Sequence, residues 1–265
     1  MTQTMALDRA LSVLVHASAK QGKSSLSVTA PAPRVYCDVE SAARFLESEG
    51  RIKPIKWDPD EPPPVYDGTW DTAVVSTRDF ETVEKVYKHL NSGNHPFKSL
   101  IIDSISELQF RVVDNMTGRK QPTMQQWGGV YRDVGGFVRD IRDLTMHPIK
   151  PLEAVVIVAM TRQIDGKYVP WCQGQLQTVL PFLLDATAYL YVDNDPNTGQ
   201  PVRMLLTQPT NEFEAGNRVG NKWPIVIPDP NISSMIDAVF GASTPPVPEQ
   251  GSESQPQEKE QVSNV

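Results

Sequence analysis

VLVHASAKQGKSS, residues 13–25, decides how the rest of the chain is read. Gly22-Lys23-Ser24 matches the second half of the phosphate-binding pattern Gly-x-x-x-x-Gly-Lys-Ser/Thr, while Ala17 stands where the first glycine belongs. In such a loop, residues 17–25 here, consecutive backbone N–H groups converge on phosphate oxygens, the lysine adds a cation and the hydroxyl ligates Mg²⁺. The first glycine mainly serves the turn off the preceding strand, so alanine fits there if its φ is negative. A Gly-Lys-Ser triplet is common by chance, and the stretch alone leaves open a working loop, a decayed one or a coincidence.

Composition narrows the context. A chain of 265 residues with 39% hydrophobic and 22% charged residues is long enough for one large α/β core. Its formal net charge of −7 argues against a broad basic face, so any nucleic-acid contact has to be local. No stretch approaches the ~20 apolar residues of a membrane span, and MTQTMALDRA has no apolar leader core, which makes a cytoplasmic location with no membrane partner the expectation. Cys37 and Cys172 sit in no metal or redox motif and read as packed thiols. His16, His89, His95 and His147 share no ligand spacing and read as surface or loop residues.

Five continuous apolar runs, residues 11–15, 34–37, 72–75, 99–102 and 154–159, suit strands buried on both faces of a parallel sheet. Helical patterns lie between them, over residues 24–30, 41–49, 80–91 and 124–144. This alternation predicts an α/β fold: a mainly parallel central sheet with helices on both faces. Residues 186–192 and 203–207, joined by a turn, predict a hairpin at an antiparallel C-terminal edge. Proline-rich residues 50–70 read as an exposed insertion in a core of residues 1–241, and residues 242–265 as a disordered acidic tail.

Two acids follow strand ends. KSLIIDSISEL puts Asp103 at the end of an apolar run, suited to the water shell of Mg²⁺ or, with Ser104, to capping the next helix. RVYCDVESAARFL puts Asp38 and Glu40 after another strand, where a carboxylate could take a proton from an attacking water or simply start a helix.

These three pieces, in this order, resemble the RecA-like P-loop ATPase superfamily, and more closely its compact phage-encoded members often labelled AAA ATPases or single-strand annealing ATPases. The resemblance spans about residues 10–240. It implies ATP and Mg²⁺ as cofactors, with Ala17, Ser18, Ala19, Lys20, Gln21, Gly22, Lys23, Ser24 and Ser25 around the phosphates. Ser24 and Asp103 would serve the metal, and Glu40 would be the catalytic base. Trp127-Gly128 is similar to a W-G pair at the family's long helix, and Gln163 takes the place of a γ-phosphate-sensing glutamine. The following loop, with Lys167, Tyr168 and Trp171, resembles a DNA-facing loop, although its aromatics would equally suit a hairpin packed on its own domain. Arg119 and Lys120, in a loop over residues 115–123, add local positive charge to a DNA surface or a solvated turn. Arg218 matches the arginine of the family's A-K-x-R segment, with Gly216 replacing its lysine; a neighbouring subunit would present this cation, with Lys222 and Arg162 as further candidates.

The resemblance implies an ATPase that binds and anneals single-stranded DNA in phage recombination or replication, working as a homo-oligomer, a filament or a ring, beside a single-strand binding protein or other replication proteins. Two alternatives stand next to it: a nucleotide-regulated oligomer that does not hydrolyse, and a scaffold recruiting replication proteins through its acidic tail.

Overall fold

The apolar runs become strands because both faces of each are covered. A computed structural model describes residues 9–118, 120–195 and 198–242. Its strands are β1 (Leu11–Ala17), β2 (Arg34–Asp38), β3 (Pro54–Lys56), β4 (Thr72–Ser76), β5 (Ser99–Asp103), β6 (Ala154–Ile164), β7 (Lys167–Pro170), β8 (Ala186–Asn194), β9 (Pro201–Leu206), β10 (Gly216–Asn217) and β11 (Val226–Pro228). The helices are α1 (Lys23–Ser27), α2 (Ala43–Ser48), α3 (Phe80–Asn91), α4 (Ile105–Thr117), α5 (Met124–Asp143), α6 (Leu176–Leu183) and α7 (Ile232–Phe240).

The sheet runs β11-β9-β8-β1-β6-β5-β2-β4-β3, parallel from β8 through β3 and antiparallel at β9 and β11. In this order β6 separates the strand that leads into the 17–25 loop from the strand ending in Asp103. Alternate residues of each strand feed two cores. One, with Leu14, Cys37 and Ile102, packs against α3, α4, α5 and α6; the other, with Val13, Tyr36 and Ile101, packs against α1, α2 and α7. Both cysteines are buried and unbridged.

The strands outrun their apolar cores. β1, β2, β4 and β5 each extend one or two residues past the predicted end, and β6 extends five, because ladder pairing continues into the polar residues that follow. The α1 helix stops at Ser27, where the Thr29 hydroxyl donates to the Leu26 carbonyl and turns the chain. The α4 helix, absent from the apolar pattern, fills residues 105–117 under an N-cap from Ser104, so the predicted loop over 115–123 begins only at Gly118.

Residues 50–70 are an exposed insertion only over their middle, at residues 60–62 and 65–69. They add β3 to β4 in parallel, and Ile52, Trp57 and Trp70 are buried. Trp57 and Trp70 flank Phe97 at ring distances of 5.4 and 6.1 Å, and their indole N–H groups donate to Glu61 and Val65 carbonyls. The prolines mark turns, and residues 60–62 and 65–69 stay exposed, while the two indoles anchor the segment on the core. His16 is likewise a core residue rather than a surface one: its Nε2–H donates to the Glu214 carbonyl and its Nδ1 accepts from Thr161. Burial lowers its pKa to about 4 and keeps it neutral. Among the described residues, no helix is long and apolar enough to cross a membrane. Most of the predicted tail, residues 243–265, and Arg119 lie outside the described residues.

Packing of this kind has a measurable cost when removed. Trp57→Ala or Trp70→Ala should each lose about 3–5 kcal/mol in urea unfolding. A loss below about 0.5 kcal/mol, the usual range for exposed positions, would return residues 50–70 to the surface.

Candidate functional site

The chain leaves β1 at Ala17, which is buried and has an ordinary strand conformation. The turn is made further on, at Lys20 (φ 61°) and Gly22 (φ 93°), which is why alanine is accepted at position 17. Between Ala19 and Ser24, no backbone amide donates a hydrogen bond within the described structure. A run of unspent amides at the start of a helix is a donor set that a phosphate chain can use, so the loop fits the nucleotide that the sequence pattern implies. Lys23 leans back, its Nζ donating to the carbonyls of Ala17 (3.3 Å) and Ser18 (3.1 Å). Partial burial lowers its pKa, and the nearby carboxylates of Asp103 and Glu40 counter this.

Asp103 ends β5 at 2% exposure. Tyr36, from the neighbouring β2, donates its phenol to Oδ2 at 2.5 Å, and the nearby Ser24 hydroxyl favours the charged form of both groups. The Ser24 hydroxyl and the Asp103 carboxylate are oxygen donors of the kind that suit Mg²⁺ and its waters, and the Glu40 charge is felt at Asp103. Burial pushes the Asp103 carboxyl up to about 6, against the Ser24 and Tyr36 hydrogen bonds; Glu40 raises it further and Lys23 opposes.

The two acids after β2 divide their tasks. Asp38 turns inward and accepts the amides of Ala42 (2.7 Å) and Ala43 (3.3 Å), so it shapes the entry to α2. Glu40 stays exposed and accepts from the Ser104 hydroxyl, which also receives the Glu107 amide as the N-cap of α4. The helix-cap reading of Asp103-Ser104 is met by the serine, while the aspartate faces Tyr36 and Lys23. Arg111 donates to the Val39 carbonyl at 2.8 Å and steadies the segment that carries Glu40.

Sequence pattern alone did not single out Tyr36 or Arg111. A tyrosine inside an otherwise apolar buried strand was a usable signal for the first, because its hydroxyl needs a polar partner. Nothing local marks Arg111.

Other predicted residues are not gathered here. β6 does not end at Gln163: it continues into a hairpin with β7, where Gln163 is exposed and donates to the Gly166 carbonyl at 3.3 Å. Arg218 sits at the opposite end of the sheet from the loop. Its amide bonds to Asp185, whose carboxylate accepts from Ser12 at the start of β1, and its guanidinium donates to Phe182. Lys222 is exposed in a short 3₁₀ turn, and Arg162 donates to Gln177.

The loop after Gln163 follows the packing alternative at two positions. Lys167 pairs with Glu214 at 2.5 Å, and Tyr168 stacks on Phe213 at 5.2 Å. Trp171 instead packs edge-on against Phe110 and lines a cavity of about 630 Å³ with Trp127, Tyr131 and Arg162. Lys120 is exposed between α4 and α5.

A family model described as an AAA domain matches residues 9–219. No curated protein matches. Among solved structures, a KaiC-like protein from the hyperthermophilic archaeon Pyrococcus horikoshii OT3 is similar at 14% identity and a TM-score of 0.42, over 80% of this chain and 83% of that one.

The buried carboxylate makes a pH-dependent prediction. Its folded-state value of about 6 lies above its ordinary 3.8, so the stability it supplies is full below about pH 4 and is lost as pH rises through about 6. Asp103→Asn keeps an acceptor for Tyr36 and removes that loss. In metal-free denaturant titrations the variant should be more stable than wild type near neutral pH and no more stable at about pH 4. A variant less stable near neutral pH would contradict the site as described.

Proposed function

This chain belongs to the AAA domain family, and from that premise we propose that it hydrolyses Mg²⁺-ATP at the 17–25 loop and couples the nucleotide to single-stranded DNA. The observation that carries the hydrolysis is the convergence of Ser24, Asp103 and Glu40, from three separate strand ends, around Lys23. Amides 19–24 bind the phosphate chain, and Lys23 exchanges two carbonyl partners for phosphate oxygens. Mg²⁺, when bound, supplies a Lewis acid that neutralises developing charge on the phosphates. Ser24 offers it a hydroxyl, and Asp103 holds its water shell. Glu40, oriented by Ser104, accepts a proton from the water that attacks the γ-phosphate.

The DNA reading rests on the cavity beside α5. Trp127, Tyr131 and Trp171 offer faces on which bases stack, and Arg162 brings a cation to an otherwise acidic protein. Lys120, with Arg119 next to it in sequence, adds charge for the strand's backbone. Arg218 lies far from its own loop, which suits a role at the loop of a neighbouring copy in a homo-oligomer. A second reading, a nucleotide-regulated oligomer without appreciable turnover, draws support from the exposed position of Gln163 and the internal engagement of Lys167 and Tyr168.

ATP turnover with and without single-stranded DNA separates the two. On the first reading DNA raises the rate, Glu40→Gln lowers it by about 10²–10⁴-fold with ATP affinity kept, and Lys23→Ala abolishes ATP binding. Normal ATP affinity with no turnover, indifferent to Glu40→Gln, would establish the second. Trp171→Ala should weaken DNA binding by about 1–3 kcal/mol; unchanged affinity would remove the cavity from the DNA reading.

A further inference from the structure

Arg203 lies where no local pattern would place it, on β9, two strands across the sheet from β1. Its register is opposite Val192 on β8, beyond the His16–Tyr189 pair, so this part of the hairpin overhangs the end of the sheet from which the phosphate loop leaves. There its guanidinium presses on Gly22: a β-carbon at position 22 would collide with Arg203 Nε and stand 3.0 Å from Cζ. Gly22 thus has two reasons to lack a side chain, its left-handed φ of 93° and the arginine that fills the space. The Arg203 side chain is half-buried, and among the described residues no carboxylate pairs with it and no acceptor takes its N–H groups.

We propose that Arg203 is a phosphate-contacting residue of the same subunit, whose guanidinium closes on the phosphate chain held by the 17–25 loop. The inference rests on the reading of that loop as the nucleotide site. A planar fork of N–H donors matches phosphate oxygens in pairs, and its charge does not titrate near neutrality. The contact also fixes what the guanidinium reaches. Next to Gly22 it borders the unspent amides of residues 19–24, so a ligand gripping those amides brings its oxygens to an unpaired cation. Lys23, by contrast, is held by two carbonyls until phosphate arrives. The antiparallel edge of the sheet therefore belongs to the nucleotide site and supplies a positive charge without a neighbouring subunit.

The test is calorimetric titration of the full chain with two probes, Mg²⁺-ATP and Mg²⁺-tripolyphosphate, which has the phosphates and no base. Arg203→Ala should weaken both by about 10- to 100-fold, Arg203→Lys should fall in between, and the unfolding midpoint without ligand should hold. Arg203→Gln, which keeps most of the stem that packs on Gly22, guards against a folding defect in the alanine variant and should show the same loss. Tripolyphosphate affinity within about threefold of wild type, less than any charged hydrogen bond contributes, overturns the proposal, including the case in which ATP alone weakens and the arginine meets the base. Lys23→Ala serves as the separate control: if that variant binds ATP normally, the reading of the loop fails, whatever Arg203 does.

Discussion

A carboxylate sealed from water at the end of a strand has to be held by donors from elsewhere, and Asp103 sets that requirement for this protein. Tyr36 meets it from β2 with a hydrogen bond, and the Ser24 hydroxyl, from the loop after β1, favours the charge. Both depend on register. β2 and β5 run in parallel with Asp38 beside Asp103, and β6 spaces β1 from β5 so that Val158 stands beside Asp103 and Met160 beside Ala17. A slip of one residue in β2 would turn Tyr36 to the opposite face and carry Asp38 and Glu40 with it. The same pairing that buries the sheet therefore assembles the site.

How much of this was legible depends on how local its cause was. Parallel strands buried on both faces announce themselves as continuous apolar runs, so β1, β2, β4, β5 and β6 were readable, and with them the positions of Lys23, Ser24, Glu40 and Asp103 at their ends. The strand ends themselves were underestimated because most of the residues that extend them, such as His16, Asp38, Ser76, Asp103 and Arg162, are polar. α4 was missed since part of its buried face is Ser106 and Gln109, residues that satisfy the backbone of the 171–173 segment instead of an apolar stripe. The buried ends of residues 50–70 were not legible because prolines signal turns locally, while the burial of Trp57 and Trp70 depends on Phe97, brought in from just before β5. Arg203 lies 181 positions from Gly22 in the chain, a distance no periodicity spans.

β6 links the two halves of the proposed activity. It passes between the loop strand and the Asp103 strand, then continues to Met160, whose amide donates to Ser106 Oγ and whose carbonyl accepts from the Trp171 amide. Ser106 in turn donates to the Trp171 carbonyl, two residues into the helix that begins after Ser104 and Glu40's hydrogen bond. A shift of Glu40 and Ser104 on nucleotide binding would thus be felt at the aromatic cavity through one serine and one strand. Polar residues at strand ends, which cost the fold its simplest apolar pattern, give the site and the cavity a shared frame.

The most direct test of the central claim is a crystal structure of the full chain with Mg²⁺ and a non-hydrolysable ATP analogue. The account predicts phosphates cradled by the amides of residues 19–24, Lys23 released from the Ala17 and Ser18 carbonyls, and the metal's waters on Asp103 with Glu40 facing the γ-phosphate. Nucleotide bound elsewhere, or bound at the loop with Asp103 still sealed behind Tyr36 and no metal beside it, would contradict it.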